Sequence, residues 1–222
     1  MAGPPLLIGH RGARAIKSVA ENTLPSFELA LQHGCDGFEF DVQRTGDGRA
    51  LICHDPKIGR LAVRKVTSNQ LPQCPLLEDV LRQCAHRAFL DIELKVRELE
   101  TNVLAALREW PPHRGYVVSS FLPQVIMELK VRSGAVPVGI ICDSRAELGR
   151  WRSLPVEYVI VEHRLISRRL MDEVHSAGRR IFAWTVNQPE SMMRLAEWDV
   201  DGIISDDVEL LVRTVRGKDP NS

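Results

Sequence analysis

Residues 37–55, GFEFDVQRTGDGRALICHD, contain the pattern that decides the fold. In the first part of this stretch, apolar side chains alternate with polar ones: Phe38, Phe40 and Val42 against Glu39, Asp41 and Gln43. Successive side chains of a strand point to opposite faces, so the run predicts a strand with one apolar and one acidic face. A solvent-facing strand has the same period, and the alternation alone does not separate a functional site from a protein surface.

The second part of the stretch predicts a hairpin that carries a histidine back toward the acidic face. Residues 45–48, TGDG, are a turn signal, and the β-rich run that follows them is a return strand. A pairing of Arg44 with Arg49 places His54 opposite Glu39. A register shifted by one or two residues still returns His54 to the neighbourhood of the carboxylates.

Strands and helices alternate along the rest of the chain. Eight apolar, β-rich runs are separated by amphipathic stretches: residues 6–9, 37–42, 88–94, 116–121, 136–142, 157–162, 180–186 and 201–206. Eight such units predict an α/β fold, a closed (β/α)₈ TIM barrel, rather than an open sheet. We expect one domain over residues 1–216 and a flexible tail over 217–222.

A second strand repeats the acidic pattern. In residues 90–95, LDIELK, the side chains of Asp91, Glu93 and Lys95 share one face. Barrel strands are covered by helices outside and packed inside, so both faces are normally apolar. Acidic side chains near the carboxyl ends of these strands therefore indicate an active site, which barrel enzymes assemble at that end.

Glu39, Asp41 and Glu93 are predicted to converge at this end of the barrel. Two carboxylates about 4 Å apart repel by about 4 kcal/mol at an effective dielectric constant near 20, so a proton or a cation must neutralise them. Oxygen ligands suit Mg²⁺ or Ca²⁺ better than zinc or copper. A glycosidase with paired carboxylates is the competing interpretation, and it leaves two histidines without a role.

His10 and His54 are those two histidines. His10 directly follows the first predicted strand, so it should reach the same end of the barrel as the carboxylates and His54. Two imidazoles beside a cation are typical of general acid–base catalysis on a phosphate ester.

Composition limits the partners of the chain. Its 222 residues carry 29 basic and 29 acidic side chains, which argues against nucleic-acid binding through a basic surface. Its five cysteines lack CxxC spacing, which favours free thiols and a cytoplasmic location. No run approaches the roughly 18 apolar residues of a transmembrane segment.

An ordered set of motifs closely resembles the glycerophosphodiester phosphodiesterase family. The motifs are HRGAR, ENT, FEFDVQRTGDGRALICHD, IELK, SSF, WTVN and DGIISD, and they extend over nearly the whole chain. The resemblance implies a barrel of the kind found in phosphoinositide-specific phospholipases C, a divalent cation, and hydrolysis of glycerophosphodiesters such as glycerophosphocholine or glycerophosphoethanolamine to glycerol 3-phosphate and an alcohol.

The resemblance also implies roles for individual residues. The metal ligands would be Glu39, Asp41 and Glu93, the acid–base pair His10 and His54, and the phosphate-binding side chains Arg11 and Lys95. Glu21 and Asn22 of the ENT motif would orient these groups. Asn22 and Thr23 also precede a predicted helix, so capping is a second role for Asn22. Which histidine is the acid stays open, as does the choice between a cyclic phosphate and direct attack by water.

Two aromatic residues complete the predicted site. Trp184 ends the seventh predicted strand and is the best candidate for a wall against the glycerol or the alcohol, and Phe121 could close the other side.

Family members often carry a longer cap insertion after the residues that match His54 and Asp55, whereas residues 56–75 are brief here. A more open mouth would admit lysophospholipids, which keeps a lysophospholipase D or sphingomyelinase D-like activity as an alternative. A homodimer, whose second subunit could supply the cap, stays open. A non-catalytic barrel that binds phosphodiesters is the alternative from another class.

Overall fold

The computed structural model describes residues 3–217. Its strands are β1 (Leu6–Gly9), β2 (Gly37–Arg44), β3 (Ala50–Ile52), β4 (Lys57–Ile58), β5 (Leu61–Ala62), β6 (Phe89–Leu94), β7 (Tyr116–Ser120), β8 (Val138–Cys142), β9 (Tyr158–Glu162), β10 (Arg180–Trp184) and β11 (Gly202–Ser205). Its α-helices are α1 (Leu24–Gln32), α2 (Leu77–Cys84), α3 (Glu100–Glu109), α4 (Pro123–Arg132), α5 (Arg168–Ser176), α6 (Pro189–Glu197) and α7 (Val208–Arg216).

Eight of the strands form a closed parallel barrel. The pairings run from β1 to β2 and then through β6, β7, β8, β9, β10 and β11 back to β1. The predicted (β/α)₈ TIM barrel is therefore confirmed. One crossover departs from strict alternation, because the connection between β8 and β9 carries only a short 3₁₀ helix, Arg150–Ser153.

The alternation in β2 separates two environments. Phe38 and Phe40 point outward against α1, where the ring of Phe27 stacks on that of Phe38 with centroids 4.3 Å apart. Glu39 and Asp41 point into the barrel and are buried there. The acidic face of the strand is thus an interior face and not a surface.

An apolar cluster fills much of the barrel interior. It contains Ile8, Phe89, Val117, Ile141, Tyr158, Ile160, Phe182 and Ile204. Gly202 makes room for it, because a Cβ atom at this position would lie 2.7 Å from the ring of Phe182. The packed interior indicates a closed core with its polar groups toward one end, as in other barrels of this class.

The hairpin after β2 has a register that differs from the predicted one. β3 pairs with β2 through Val42 with Ile52, Gln43 with Leu51 and Arg44 with Ala50. The predicted pairing of Arg44 with Arg49 is wrong by one residue, and His54 does not lie directly opposite Glu39. The turn is the cause, because the Arg49 N–H donates to Oγ1 of Thr45 and the Thr45 N–H to the Arg49 carbonyl.

The segment between His54 and α2 is short and has its own small core. β4 and β5 form a two-stranded antiparallel sheet, and two 3₁₀ helices follow, Val63–Lys65 and Ser68–Gln70. The buried members of the small core are Leu51, Cys53, Val63 and Leu71. The reduced insertion is therefore an ordered β-hairpin with 3₁₀ turns.

Two further predictions from the sequence concern membrane-spanning segments and the C-terminal tail. Within residues 3–217, no helix is both long enough and apolar enough to cross a membrane. Of the predicted tail, Gly217 belongs to the described residues, and 218–222 lie outside them.

Candidate active site

Adjacent parallel strands bring four carboxyl groups together inside the barrel. The register of β2 and β6 pairs Glu39 with Asp91 and Asp41 with Glu93. Glu39, Asp41 and Glu93 each offer an oxygen atom within 4.8 Å of the others, and all three residues are buried. The three predicted metal ligands thus form one cluster.

The pKa values of the three carboxyl groups are shifted in different directions, upward by burial and mutual repulsion and downward, at Asp41, by neighbouring basic side chains. Burial, followed by the charge of Asp41, raises the pKa of Glu39 well above its usual value and that of Glu93 to about 7. Burial also opposes ionisation of Asp41, but Lys95 and Arg11 outweigh it and hold the pKa of Asp41 below its usual value. In the absence of a cation, the cluster therefore binds protons near neutral pH.

Two basic side chains border the carboxylates. The Lys95 Nζ atom lies 2.7 Å from Oε1 of Glu93 and 3.3 Å from Oδ1 of Asp41. The Arg11 Nε atom lies 3.1 Å from Oδ2 of Asp41, and the Arg11 backbone N–H donates to Oε2 of Glu39 at 2.9 Å. Arg11 and Lys95 therefore place positive charge beside the carboxylate cluster, where an anionic substrate would meet it.

The cluster fits a hard divalent cation. Oε1 of Glu39 is buried and has no hydrogen-bond partner among the residues that the structure describes. A buried carboxylate oxygen without a partner is costly, and a cation would satisfy it. The all-oxygen ligand set is of the kind that Mg²⁺ and Ca²⁺ prefer.

His10 is held in a defined orientation at the end of β1. Its Nδ1 atom lies 2.6 Å from Oδ1 of Asp206, and its Nε2 atom lies 3.8 Å from Oε2 of Glu39. Burial opposes ionisation of Asp206, but its hydrogen bond to His10 and the charge of that imidazole outweigh burial and lower the pKa of Asp206. An ionised carboxylate only accepts, so Nδ1 of His10 donates and Nε2 remains available to a substrate.

Asp206 is a site residue that sequence reasoning missed. Besides His10, it accepts hydrogen bonds from Nη1 of Arg14 and, at 2.7 Å, from Nδ2 of Asn187. The available signal was its position directly after β11, inside the DGIISD motif, because β11 is the neighbour of β1 in a closed barrel. Asn187 and Arg14 also lie in two of the family motifs, WTVN and HRGAR.

His54 lies near enough to Asp41 for its charge to help lower the pKa of that carboxyl group, but it is more exposed than His10. Its side chain is 36% exposed, compared with 10% for His10. Its Nδ1 atom lies 2.7 Å from Oδ1 of Asp55, and its carbonyl accepts from the amide of Gln43 at 3.0 Å. The structure therefore places one histidine inside the site and the other toward solvent.

Glu21 and Asn22 contact the residues that they were predicted to orient. Oε1 of Glu21 accepts from Nη1 of Arg11 at 2.7 Å. Asn22 makes two bonds with Asp41, in which its amide donates to Oδ2 at 2.8 Å and its carbonyl accepts from the backbone N–H at 3.1 Å. The side-chain cap of α1 is Thr23 and not Asn22.

An aromatic pair stands beside the polar groups. The rings of Phe121 and Trp184 meet edge to face with centroids 5.6 Å apart, and the Lys95 Nζ atom lies 5.7 Å from the Phe121 ring centroid. The Trp184 indole N–H is buried and has no partner among the described residues. The cavity that Trp184 borders is also lined by His10, Glu39, Asp91, Glu93, Ile141, Ile160 and Ile204.

Asp91 is a fourth interior carboxyl group with different surroundings. Its Oδ1 atom accepts from Oγ of Ser119 at 2.6 Å. Burial raises the pKa of Asp91 to about 7, although the Ser119 hydroxyl opposes the shift. Asp91 is not a member of the three-carboxylate cluster described above.

The chain matches a known protein family over most of its length. The family model described as the glycerophosphoryl diester phosphodiesterase family matches residues 10–210, which include every site residue described here. A glycerophosphodiester phosphodiesterase of Caldanaerobacter subterraneus is 28% identical over 239 residues, covering 95% of this chain and 98% of that protein.

Solved structures show the same fold. A glycerophosphodiester phosphodiesterase of Thermotoga maritima superposes with a TM-score of 0.83 at 25% identity, covering 96% of this chain and 99% of that one. A phosphodiesterase of Oleispira antarctica, solved in complex with its product sn-glycerol-3-phosphate, has a TM-score of 0.83 at 23% identity and covers 96% of this chain and 97% of that one.

Proposed function

Because the chain belongs to the glycerophosphoryl diester phosphodiesterase family, we propose that it hydrolyses glycerophosphodiesters to glycerol 3-phosphate and an alcohol with the help of one divalent cation. The observation that carries the proposal is the convergence of three buried carboxylates with an oriented histidine at one end of the barrel. The product complex of the Oleispira antarctica phosphodiesterase supports the same class of substrate.

Glu39, Asp41 and Glu93 would hold the cation. Mg²⁺ and Ca²⁺ both suit these oxygen ligands. When bound, a divalent cation supplies positive charge for a non-bridging phosphate oxygen and lowers the pKa of a hydroxyl group nearby. The bonds from Asn22 fix the orientation of the Asp41 carboxylate, as partners of metal ligands commonly do.

His10 and His54 would move the protons. Nε2 of His10 is the atom available for transfer, because Asp206 holds Nδ1. One imidazole accepts the proton of the attacking hydroxyl and the other donates a proton to the leaving alkoxide, as an in-line displacement at phosphorus requires. Either the glycerol 2-hydroxyl or water is the nucleophile, and the first path passes through a cyclic phosphate.

The remaining side chains would position the diester. Arg11 and Lys95 lie beside the carboxylate cluster and would bind phosphoryl oxygens. Phe121 and Trp184 would form the apolar wall, and the buried Trp184 indole N–H would donate to a glycerol or phosphate oxygen. A purely structural tryptophan would normally satisfy its N–H within the protein.

Replacing Asp206 with asparagine should lower kcat on the order of 100-fold and leave cation affinity unchanged. Asparagine can donate as well as accept, so it no longer fixes the proton on Nδ1 of His10. Asp207→Asn is the matched control, because Asp207 caps α7 through the Leu210 N–H and asparagine caps equally well. An equal loss in both variants, or a fall in cation affinity with Asp206→Asn, would contradict this positioning role.

The affinity for Mg²⁺ or Ca²⁺ should rise with pH. Glu93, with a pKa of about 7, and Glu39, with a raised pKa, hold protons below neutral pH that a cation must displace. Each displaced proton weakens apparent binding by about tenfold for each pH unit below the pKa. Calorimetric titrations across neutral pH test this, and a pH-independent affinity would show that the carboxylates are already ionised without the cation.

Lysophospholipids are a second candidate substrate class. The short segment after His54 and the aromatic wall would leave room for a substrate with a longer apolar group. This supports lysophospholipase D or sphingomyelinase D-like hydrolysis on the same residues. A non-catalytic barrel is less well supported, because the site retains its acids, histidines and basic side chains.

The cellular compartment of the enzyme is proposed from its cysteine side chains alone. All five cysteines are free, which supports a reducing compartment such as the cytoplasm.

A homodimer stays a prediction, which sedimentation of the purified chain would test.

Product analysis tests the proposed reaction. The enzyme is expected to release glycerol 3-phosphate and the matching alcohol in equal amounts from glycerophosphocholine or glycerophosphoethanolamine. Lysophosphatidylcholine and sphingomyelin are offered in parallel. Turnover of only the long-chain substrates would replace the first candidate by the second, and binding without turnover of any diester would favour the non-catalytic barrel.

A further inference from the structure

The segment between Asp55 and Glu78 has a charge unlike that of the rest of the chain. It carries four basic residues, Lys57, Arg60, Arg64 and Lys65, and no acidic residue. The whole chain has equal numbers of basic and acidic side chains. We call residues 56–77 the cationic segment.

Most of this charge is not neutralised within the protein. All four basic residues are exposed. Arg64 pairs with Glu98 at 3.0 Å, whereas Lys57, Arg60 and Lys65 make no ion pair with any residue in 3–217. These three basic side chains without ion pairs lie within residues 57–65 and form a local positive surface.

The cationic segment also exposes an apolar side chain at its hairpin. β4 and β5 are joined by Gly59 and Arg60, and Gly59 has a φ of +58°, a conformation that glycine adopts readily. Leu61, the next residue, is 40% exposed. The other exposed large apolar side chains of the described residues lie on α4 and α6: Met127, Val131 and Met193.

The hairpin is firmly held beside the active site. Ile58 packs against the small core below it, and the Val63 N–H donates to the Pro56 carbonyl at 3.0 Å. The segment begins two residues after His54. A ligand on the hairpin would therefore lie close to the mouth of the barrel.

We infer that this hairpin docks the enzyme onto an anionic phospholipid surface. Leu61 directly follows Arg60, and Lys57 lies four residues before it. An exposed apolar side chain among basic ones suits a membrane interface, where the apolar group enters the headgroup region while the cations meet lipid phosphates. A nucleic acid is a poorer fit, because the cationic segment has no aromatic residue on which a base could stack. This inference does not depend on the proposed reaction, because vesicle binding is measured without turnover.

Co-sedimentation of the full chain with lipid vesicles tests the inference. The protein should partition onto vesicles of phosphatidylcholine mixed with phosphatidylserine more strongly than onto phosphatidylcholine alone, and high salt should weaken this binding. The double variant Lys57→Glu/Arg60→Glu should bind the anionic vesicles about 20-fold or more weakly, since each basic residue near such a surface contributes about fivefold. Its turnover of glycerophosphocholine should stay unchanged.

Matched controls distinguish binding through this hairpin from a general effect of the protein's surface charge. Arg108→Glu/Arg114→Glu changes the same charge at exposed residues without ion pairs in the described chain, and Arg114 lies before β7, at the opposite end of the barrel. Leu61→Ser should also weaken binding, whereas Val131→Ser should not.

Three binding results would overturn the inference, and one result that combines binding with turnover would do so as well. The binding results are equal binding to neutral and anionic vesicles, equal losses in the two charge-reversal variants, and retention on heparin without binding to vesicles. A hairpin variant that loses both vesicle binding and glycerophosphocholine turnover would also overturn it, because the segment would then serve the fold or the reaction.

Discussion

Replacing His10 with alanine should lower kcat/KM for glycerophosphodiesters by about 10²- to 10⁴-fold, the contribution expected of one general acid or base. The variant should remain folded, because Asp206 keeps its bonds to Arg14 and Asn187 when the imidazole is removed. His54→Ala should cause a loss of similar size. Steady-state kinetics together with thermal unfolding separates loss of chemistry from loss of fold.

A control for this result is His175→Ala. His175 lies on α5, is partly exposed and bonds to Asp201, outside the candidate site. It should keep wild-type turnover. If His10→Ala or His54→Ala keeps near wild-type turnover while folded, the scheme with two histidines is wrong.

Replacing Glu39 with glutamine should weaken cation affinity and turnover together, each by about 100-fold or more, since partners of metal ligands alone contribute 10- to 100-fold. Glutamine keeps the shape of the side chain and its bond from the Arg11 N–H, but one charged ligand is lost. Excess Mg²⁺ or Ca²⁺ should restore part of the activity. Calorimetric titration and kinetics on the same sample measure both effects.

Asp91→Asn is the matched control for Glu39→Gln. Asp91 is also a buried interior carboxyl group, and asparagine can still accept the Ser119 hydroxyl. The variant should keep the cation titration of the wild type. An unchanged titration in Glu39→Gln would remove Glu39 from the ligand set, and an equal loss in Asp91→Asn would show that any interior charge has the same effect.

Eight strand runs separated by amphipathic stretches allowed the barrel to be predicted from sequence, and the alternation in β2 and β6 allowed its acidic cluster to be predicted. Period-two patterns report which side chains share a face, and the barrel then requires the carboxyl ends of neighbouring strands to meet. Glu39, Asp41 and Glu93 therefore followed from local pattern together with fold class.

Features that depend on specific tertiary contacts were not predicted. The hairpin register was wrong by one residue, because a side-chain bond from Thr45 sets the turn. The Asp206 bond to His10 joins residues 196 positions apart and required the pairing of the first and last barrel strands. The pKa of Asp91 depends on the extent of its burial, which pattern alone does not give.

Release of glycerol 3-phosphate from glycerophosphocholine, with Mg²⁺, with Ca²⁺ and with EDTA, tests the central claim most directly. We predict release that requires a divalent cation, is abolished by EDTA, and is restored when the cation is returned. His10→Ala should show little release under any of these conditions. Release by the wild type that persists in EDTA, or no release with either cation from folded protein, would contradict the account of this site as a metal-dependent phosphodiesterase.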